Sequence, residues 1–156
     1  MPFAWENLSG GADIIRTQIL IIDDDPAIRQ LLRLVAERRG FSVDMASDGV
    51  EALQKLGECQ YDLAIIDLMM PRLSGYEVVE QLATKTSRPT VVVVSAMTDS
   101  FVNDLDSSVV HSIIRKPFDV ELIGSLMTAI VTRFNEVQPA DAPMPDNVLD
   151  FPEQAC

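Results

Sequence analysis

The chain has 156 residues, of which 47% are hydrophobic and 23% are charged, so it holds enough apolar side chains for the core of one domain. Its 24 acidic residues outnumber the 12 basic residues and give a formal net charge of −12. This excess of negative charge argues against binding to nucleic-acid phosphates or to an anionic membrane. Two cysteines make neither a disulfide framework nor a metal-ligand spacing, and no stretch is apolar over a membrane-spanning length. We therefore expect a cytoplasmic protein.

Three short apolar runs are rich in β-branched side chains and too short for helices. They are residues 19–22, 63–66 and 91–94. Continuous hydrophobicity of this kind is typical of parallel strands that helices cover on both faces. Residues 42–46 alternate between apolar and polar side chains, which predicts an edge strand, and residues 113–115 predict a short fifth strand before Pro117.

Between these runs the apolar spacing changes to that of a helix. Asp25 and Pro26 suit the start of the first helix, and Gly40 suits its end. Two further helix starts have capping-box spacing, Asp48 with Glu51 and Ser74 with Glu77. Residues 99–110 are poor helix formers and predict a short, weak fourth helix, whereas residues 120–137 carry the clearest apolar stripe.

The resulting order of five βα units predicts an α/β fold with a doubly wound, five-stranded parallel sheet. Residues 1–17 are expected to form a loosely held N-terminal arm, and residues 18–137 the folded domain. Residues 138–156 contain four of the nine prolines, four acids and no base, which predicts a disordered tail.

The residues that follow the predicted strands form the candidate site, because an open α/β sheet binds ligands beyond the carboxyl ends of its strands. They are Asp23, Asp24, Asp67, Ser95 and Lys116. Taken singly, each aspartate is more simply a helix cap or a solvated loop acid. Taken together, three converging carboxylates repel one another, which favours a divalent cation, and a thiolate-free oxygen set suits Mg²⁺ or Mn²⁺.

A cation, a carboxylate, a hydroxyl and an amine together suit phosphoryl transfer, in which positioning and charge neutralisation provide most of the catalysis. Asp67 would attack phosphorus. The cation, Lys116 and the hydroxyl of Ser95 would neutralise the charge that grows on the phosphoryl oxygens.

Four segments of the chain resemble the receiver domain of two-component response regulators. They read ILIIDDDPAIR, IIDLMMPRLSG, VVVVSA and RKPF, and the resemblance extends over residues 18–137. It implies a flavodoxin-like fold with strand order 2-1-3-4-5. It also implies that Asp67 accepts the phosphoryl group and binds Mg²⁺ directly, together with Asp24 and the main-chain carbonyl of Met69. Asp23 would act mainly through metal-bound water.

By the same resemblance, Ser95 is the switch hydroxyl and Lys116 is the phosphate-binding lysine, usually joined to Pro117 by a cis peptide bond. The chain departs from the family pattern at two places. Ile113 stands where an aromatic switch residue is usual, and residues 109–110 are two valines in place of a common Gly-Ala pair. We therefore expect an intact phosphorylation site and an altered output face.

These features predict a stand-alone receiver that is not an enzyme. It would catalyse only its own phosphorylation and dephosphorylation. It would accept a phosphoryl group from a histidine kinase or a phosphotransfer protein and then change its binding to an output protein on the face between the fourth and fifth helices. No nucleic-acid or membrane partner is expected. Two alternatives stay open: an unphosphorylated receiver-like interaction module and, less favoured, an aspartyl-nucleophile phosphatase. The haloacid-dehalogenase class of such phosphatases needs a second aspartate where this chain has Met69.

Overall fold

A computed structural model describes residues 17–96 and 99–137. The strands are β1 (Gln18–Ile22), β2 (Ser42–Ala46), β3 (Leu63–Ile66), β4 (Thr90–Ser95) and β5 (Val110–Arg115). The helices are α1 (Pro26–Glu37), α2 (Gly49–Glu58), α3 (Gly75–Ala83), α4 (Asp99–Val102) and α5 (Val120–Val137). The strands pair in parallel in the order β2-β1-β3-β4-β5, which confirms the predicted fold. The predicted arm, except Thr17, and the predicted tail lie outside the described residues.

The centre of the sheet is formed by β1, β3 and β4, whose apolar side chains are buried on both faces. One face packs against α1 and α5, where Leu32 and Met127 are each 1% exposed. The other face packs against α2 and α3, where Ala52 and Val78 are fully buried. Burial on both faces is why the strands read as continuous apolar runs in the sequence.

The helix starts follow the predicted capping residues. The carboxylate of Asp25 accepts a hydrogen bond from the N–H of Ala27 at 2.8 Å, and Ser74 forms a complete capping box with Glu77. In α2, Asp48 accepts from the N–H of Glu51, but the Glu51 carboxylate accepts instead from the N–H of Ser47. The second capping box is therefore displaced by one residue.

The greatest departures from prediction lie in α4 and β5. β5 begins at Val110 instead of residue 113, and α4 is a single turn within the longer segment expected to be weakly helical. Side chains in β5 alternate between half-buried and exposed, with His111 and Ile113 on the exposed positions. An edge strand accepts polar residues, so the exposed His111 and the half-buried Ser112 do not end it although they interrupt the apolar run.

Cys59, which follows α2, is disulfide-bonded. The low cysteine count gave no sign of this, because pairing depends on the distance between two cysteines in the folded chain and not on their number.

Among the described residues, no helix has the length and hydrophobicity to span a membrane.

Candidate functional site

Three of the predicted site residues lie side by side at the carboxyl edge of the sheet. Asp23 follows β1, Asp67 follows β3, and Ser95 ends β4; they are 2%, 5% and 1% exposed. The parallel ladder continues past the strand ends, because the N–H of Asp67 donates to the carbonyl of Ile22 at 2.8 Å. The N–H of Lys116 donates to the carbonyl of Ser95 at 3.0 Å. The backbone therefore fixes the spacing of the candidate site.

Lys116 joins two of the carboxylates directly. Its Nζ donates to Oδ2 of Asp23 at 2.9 Å and to Oδ2 of Asp67 at 3.1 Å. The side chain of Asp24 is exposed, but one carboxylate oxygen from each of Asp23, Asp24 and Asp67 lies within 4.8 Å of the others. The peptide bond from Lys116 to Pro117 is cis, as the resemblance implies.

Main-chain N–H groups donate hydrogen bonds to the two buried carboxylates. Oδ1 of Asp23 accepts from the N–H of Asp25 at 2.9 Å, and Oδ1 of Asp67 accepts from the N–H of Met69 at 3.2 Å. Arg29, which was not among the predicted site residues, donates from Nη1 to the carbonyl of Asp23 at 2.6 Å. Its place one turn into α1, four residues after the acidic run, is the sequence signal that could have identified it.

α3 begins in direct contact with the end of β3. The N–H of Gly75 donates to the carbonyl of Leu68 at 3.1 Å. A Cβ at position 75 would lie 2.7 Å from the Cα of Leu68 and would also overlap the carbonyl of Asp67. Glycine is required here, because any side chain would displace the backbone that carries Asp67.

The electrostatics of the site follow from burial and from the opposed charges. Burial raises the pKa of Asp67. The hydrogen bond from the N–H of Met69 offsets part of this rise, whereas the negative charge of Asp23 adds to it. The hydrogen bond and the positive charge of Lys116 act in the opposite direction and lower the pKa of Asp67, but the pKa stays raised overall. Burial alone lowers the pKa of Lys116, but its hydrogen bonds to both aspartates outweigh that effect and raise the pKa overall. The lysine is therefore protonated at neutral pH.

The donor set fits Mg²⁺ or Mn²⁺. Three carboxylates face a single ammonium group, which leaves the cluster with excess negative charge and hard oxygen donors. Asp24 is open to solvent, so part of the coordination shell can be water, as Mg²⁺ prefers.

The two predicted switch positions differ in their surroundings. Ser95 is buried at the end of β4, and its register partner in β5 is Arg115. Ile113 pairs with Val93 and is 40% exposed, so its side chain is not part of the buried core. Met69 is 59% exposed beside Asp67.

A family model described as the response regulator receiver domain matches residues 19–128 of the chain. Response regulator MprA of Mycobacterium sp. (strain KMS) is 36% identical over 129 residues, which cover 81% of this chain and 55% of that protein. Transcriptional regulatory protein ResD of Bacillus subtilis (strain 168) is 33% identical over 136 residues, which cover 86% of this chain and 57% of that protein. The chain thus spans about half the length of the curated relatives it matches.

Solved structures are similar over nearly their whole length. Response regulator protein TrrA from Thermotoga maritima, in complex with Mg²⁺-BeF, is 31% identical with a TM-score of 0.66, covering 73% of this chain and 98% of that chain. The receiver domain of Francisella response regulator 1452 is 27% identical with a TM-score of 0.71, covering 76% of this chain and 99% of that chain.

Proposed function

The chain belongs to the response regulator receiver domain family, and on this premise we propose that it is a Mg²⁺-dependent phosphoacceptor whose nucleophile is Asp67. The observation that carries this proposal is the position of Lys116, whose Nζ lies 2.9 Å from Asp23 and 3.1 Å from Asp67. A protonated lysine beside the nucleophile is ready to pair with the oxygens of an incoming phosphoryl group. The similarity to a receiver in complex with Mg²⁺-BeF supports the same chemistry.

The proposed reaction is phosphoryl transfer from a histidine nitrogen of the donor protein. An oxygen of the Asp67 carboxylate forms the new P–O bond as the P–N bond breaks, and the imidazole nitrogen keeps the electron pair of that bond. Asp23, Asp24 and Asp67 would hold Mg²⁺, which would supply charge neutralisation when bound. Lys116 donates a hydrogen bond to one phosphoryl oxygen and Ser95 to another. Attack by water later releases inorganic phosphate and restores the aspartate.

We propose a histidine kinase or a phosphotransfer protein as the donor and the cytoplasm as the location. As the output partner we propose a protein that binds the face formed by α4, β5 and α5. The exposed fractions of Phe101 (52%) and Ile113 (40%) support an apolar contact surface there. The stand-alone architecture and the absence of a nucleic-acid partner stay predictions, because the chain spans about half of each curated relative.

The route from Ser95 to that face is proposed to pass through α4. Phosphorylation adds negative charge and acceptor oxygens beside the hydroxyl, and a single-turn helix offers a segment of low local stability that can rearrange. Ile113 has a stiff, β-branched side chain in place of the usual aromatic ring. We therefore expect amide hydrogen exchange to change most from residue 97 to residue 110.

The test is to incubate the protein with Mg²⁺ and acetyl phosphate or phosphoramidate and to measure the intact mass. The expected result is the added mass of one phosphoryl group, lost in Asp67→Asn and with a chelator present. Asp62→Asn is the matched control, because Asp62 lies at the other end of β3 and should label normally. Labelling of Asp67→Asn at the wild-type level would contradict the assignment. No labelling of the wild type would favour the interaction module, and sustained hydrolysis of a simple phosphate ester would favour the phosphatase.

A further inference from the structure

The loop between Asp67 and α3 contains a residue in a strained backbone conformation. Arg72 has a φ of 67°, in the left-handed region that residues other than glycine seldom adopt. Such a conformation persists only where contacts with the surrounding structure outweigh its cost. The contacts of this loop therefore indicate what the conformation of Arg72 serves.

One contact is an ion pair with a buried carboxylate that the phosphoacceptor chemistry does not use. Nη2 of Arg72 lies 3.3 Å from Oδ2 of Asp48, whose side chain is 6% exposed. The other oxygen of this carboxylate, Oδ1, accepts from the N–H of Glu51 at 2.9 Å and caps α2. An uncharged asparagine would cap the helix equally well, so capping does not explain the ion pair.

A main-chain contact lies beside the ion pair. The N–H of Gly49 donates to the carbonyl of Leu73 at 3.2 Å. A Cβ on Gly49 would lie 2.5 Å from that oxygen, so glycine is required for the two backbones to approach so closely. Two adjacent contacts therefore join the start of α2 to the loop.

The same loop carries a main-chain donor to the proposed nucleophile. The N–H of Met69 donates to Oδ1 of Asp67 at 3.2 Å, and Oδ2 of Asp67 accepts from Lys116 at 3.1 Å. Met69 itself is 59% exposed, whereas Met70 is buried in the core. Because its own side chain is not packed in the core, Met69 depends on the rest of the loop for the orientation of its peptide group.

On the basis of the proposed function, we propose that Arg72 and Asp48 are positioning residues for phosphoryl transfer. Their ion pair holds the loop so that the N–H of Met69 stays on Oδ1 of Asp67. This hydrogen bond fixes the rotation of the carboxylate and keeps Oδ2 beside Lys116. Without the ion pair, fewer molecules hold the nucleophile in the geometry for attack.

Two variants break the ion pair from opposite sides. Asp48→Asn removes the charge but keeps a capping oxygen, and Arg72→Gly removes the guanidinium but suits a positive φ. Each should lower the maximal rate of phosphorylation by phosphoramidate at saturating Mg²⁺ by about three- to tenfold. The phosphoramidate concentration that gives half of the maximal rate should stay as in the wild type, because Lys116 is unchanged. The double variant should lose no more than either single variant.

Two further variants serve as the rescue and the control. Arg72→Lys keeps a positive charge near Asp48 and should keep most of the wild-type rate. Glu121→Gln breaks an ion pair of the same 3.3 Å length, between Arg39 and α5, and should react at the wild-type rate. Wild-type rates in both Asp48→Asn and Arg72→Gly, multiplied losses in the double variant, or an equal loss in Arg72→Lys would overturn the proposal.

Amide exchange measured by NMR without Mg²⁺ or phosphodonor separates this proposal from the proposed function. The N–H of Met69 should exchange about three- to tenfold faster in Asp48→Asn and in Arg72→Gly than in the wild type. A wild type that takes no phosphoryl group would contradict the proposed function. Unchanged exchange at Met69 in a chain whose wild type is phosphorylated normally would overturn the positioning role alone.

Discussion

The central strands β1 and β3 differ from the segment of α4 and β5 in how fully they are buried. In β1 and β3 every apolar side chain is at most 2% exposed, and these strands lead directly into Asp23 and Asp67. In β5 every second residue is exposed, and α4 is a single turn. The proposed nucleophile and metal ligands therefore follow the most buried strands, whereas the proposed output face is built from the most exposed one.

The difference indicates a division of labour within one sheet. Phosphoryl transfer needs atoms held within a fraction of an ångström, which close packing provides. A change of partner binding needs a segment that can move at small cost, which few buried contacts provide. Lys116 links the two regions, because it follows β5 and contacts both buried aspartates.

The largest expected contrast comes from removing the same side chain in both regions. Ile21→Ala in β1, at a fully buried position, should lower the free energy of unfolding by about 2–5 kcal/mol. Ile113→Ala in β5, at a position 40% exposed, should cost less than about 1 kcal/mol. Urea unfolding of both variants measures the contrast, and equal losses would contradict the division between the two regions.

The next largest effect is expected where the two regions meet. Lys116→Met keeps most of the side-chain volume but removes the ammonium that pairs with Asp67, so phosphorylation by acetyl phosphate should slow by about 10²–10³-fold. Lys85→Met, at the opposite edge of the sheet, is the control and should keep the wild-type rate. A loss below tenfold in Lys116→Met would remove the lysine from the proposed chemistry.

A third prediction concerns the hydrogen bond that fastens the start of β3 to the edge strand β2. The hydroxyl of Tyr61 donates to Asp44 at 2.7 Å, and Tyr61→Phe should cost about 1.5–3 kcal/mol. Burial, followed by the bond to Asp44, raises the pKa of Tyr61 above its ordinary value of 10.0. Its contribution to stability is therefore complete below about pH 10 and is lost as pH rises further, because the unfolded chain ionises first. Tm measured from pH 8 to pH 11 should fall more for the wild type than for Tyr61→Phe.

The smallest expected effect concerns a helix cap. Ser74→Ala removes the capping box of α3 and should cost about 0.5–2 kcal/mol, measured by urea unfolding. Ser100→Ala, in the single-turn α4, should cost less, because so short a helix contributes little to the stability of the domain. Equal costs would mean that α4 is as firmly folded as α3.

Most of the fold and the residues of the candidate site could be predicted from the sequence, and the physical reasons can be identified. Buried parallel strands produce apolar runs, and helix caps need short polar side chains, so β1, β3 and the start of α3 could be predicted. β5 was predicted too short, because a half-exposed edge strand has no continuous apolar run. The hydrogen bond between Tyr61 and Asp44 depends on a tertiary distance that no local pattern contains.

The contact between α3 and the end of β3 has a consequence for the kinetics of the proposed reaction. The backbone of Asp67 is confined by Gly75, and its carboxylate is confined by Met69 and Lys116. The conformational freedom of the nucleophile is thus already lost when the domain folds, and little remains to be lost when the phosphodonor arrives. The barrier to phosphoryl transfer should therefore be mainly enthalpic, so that heating accelerates the reaction steeply until the domain itself unfolds.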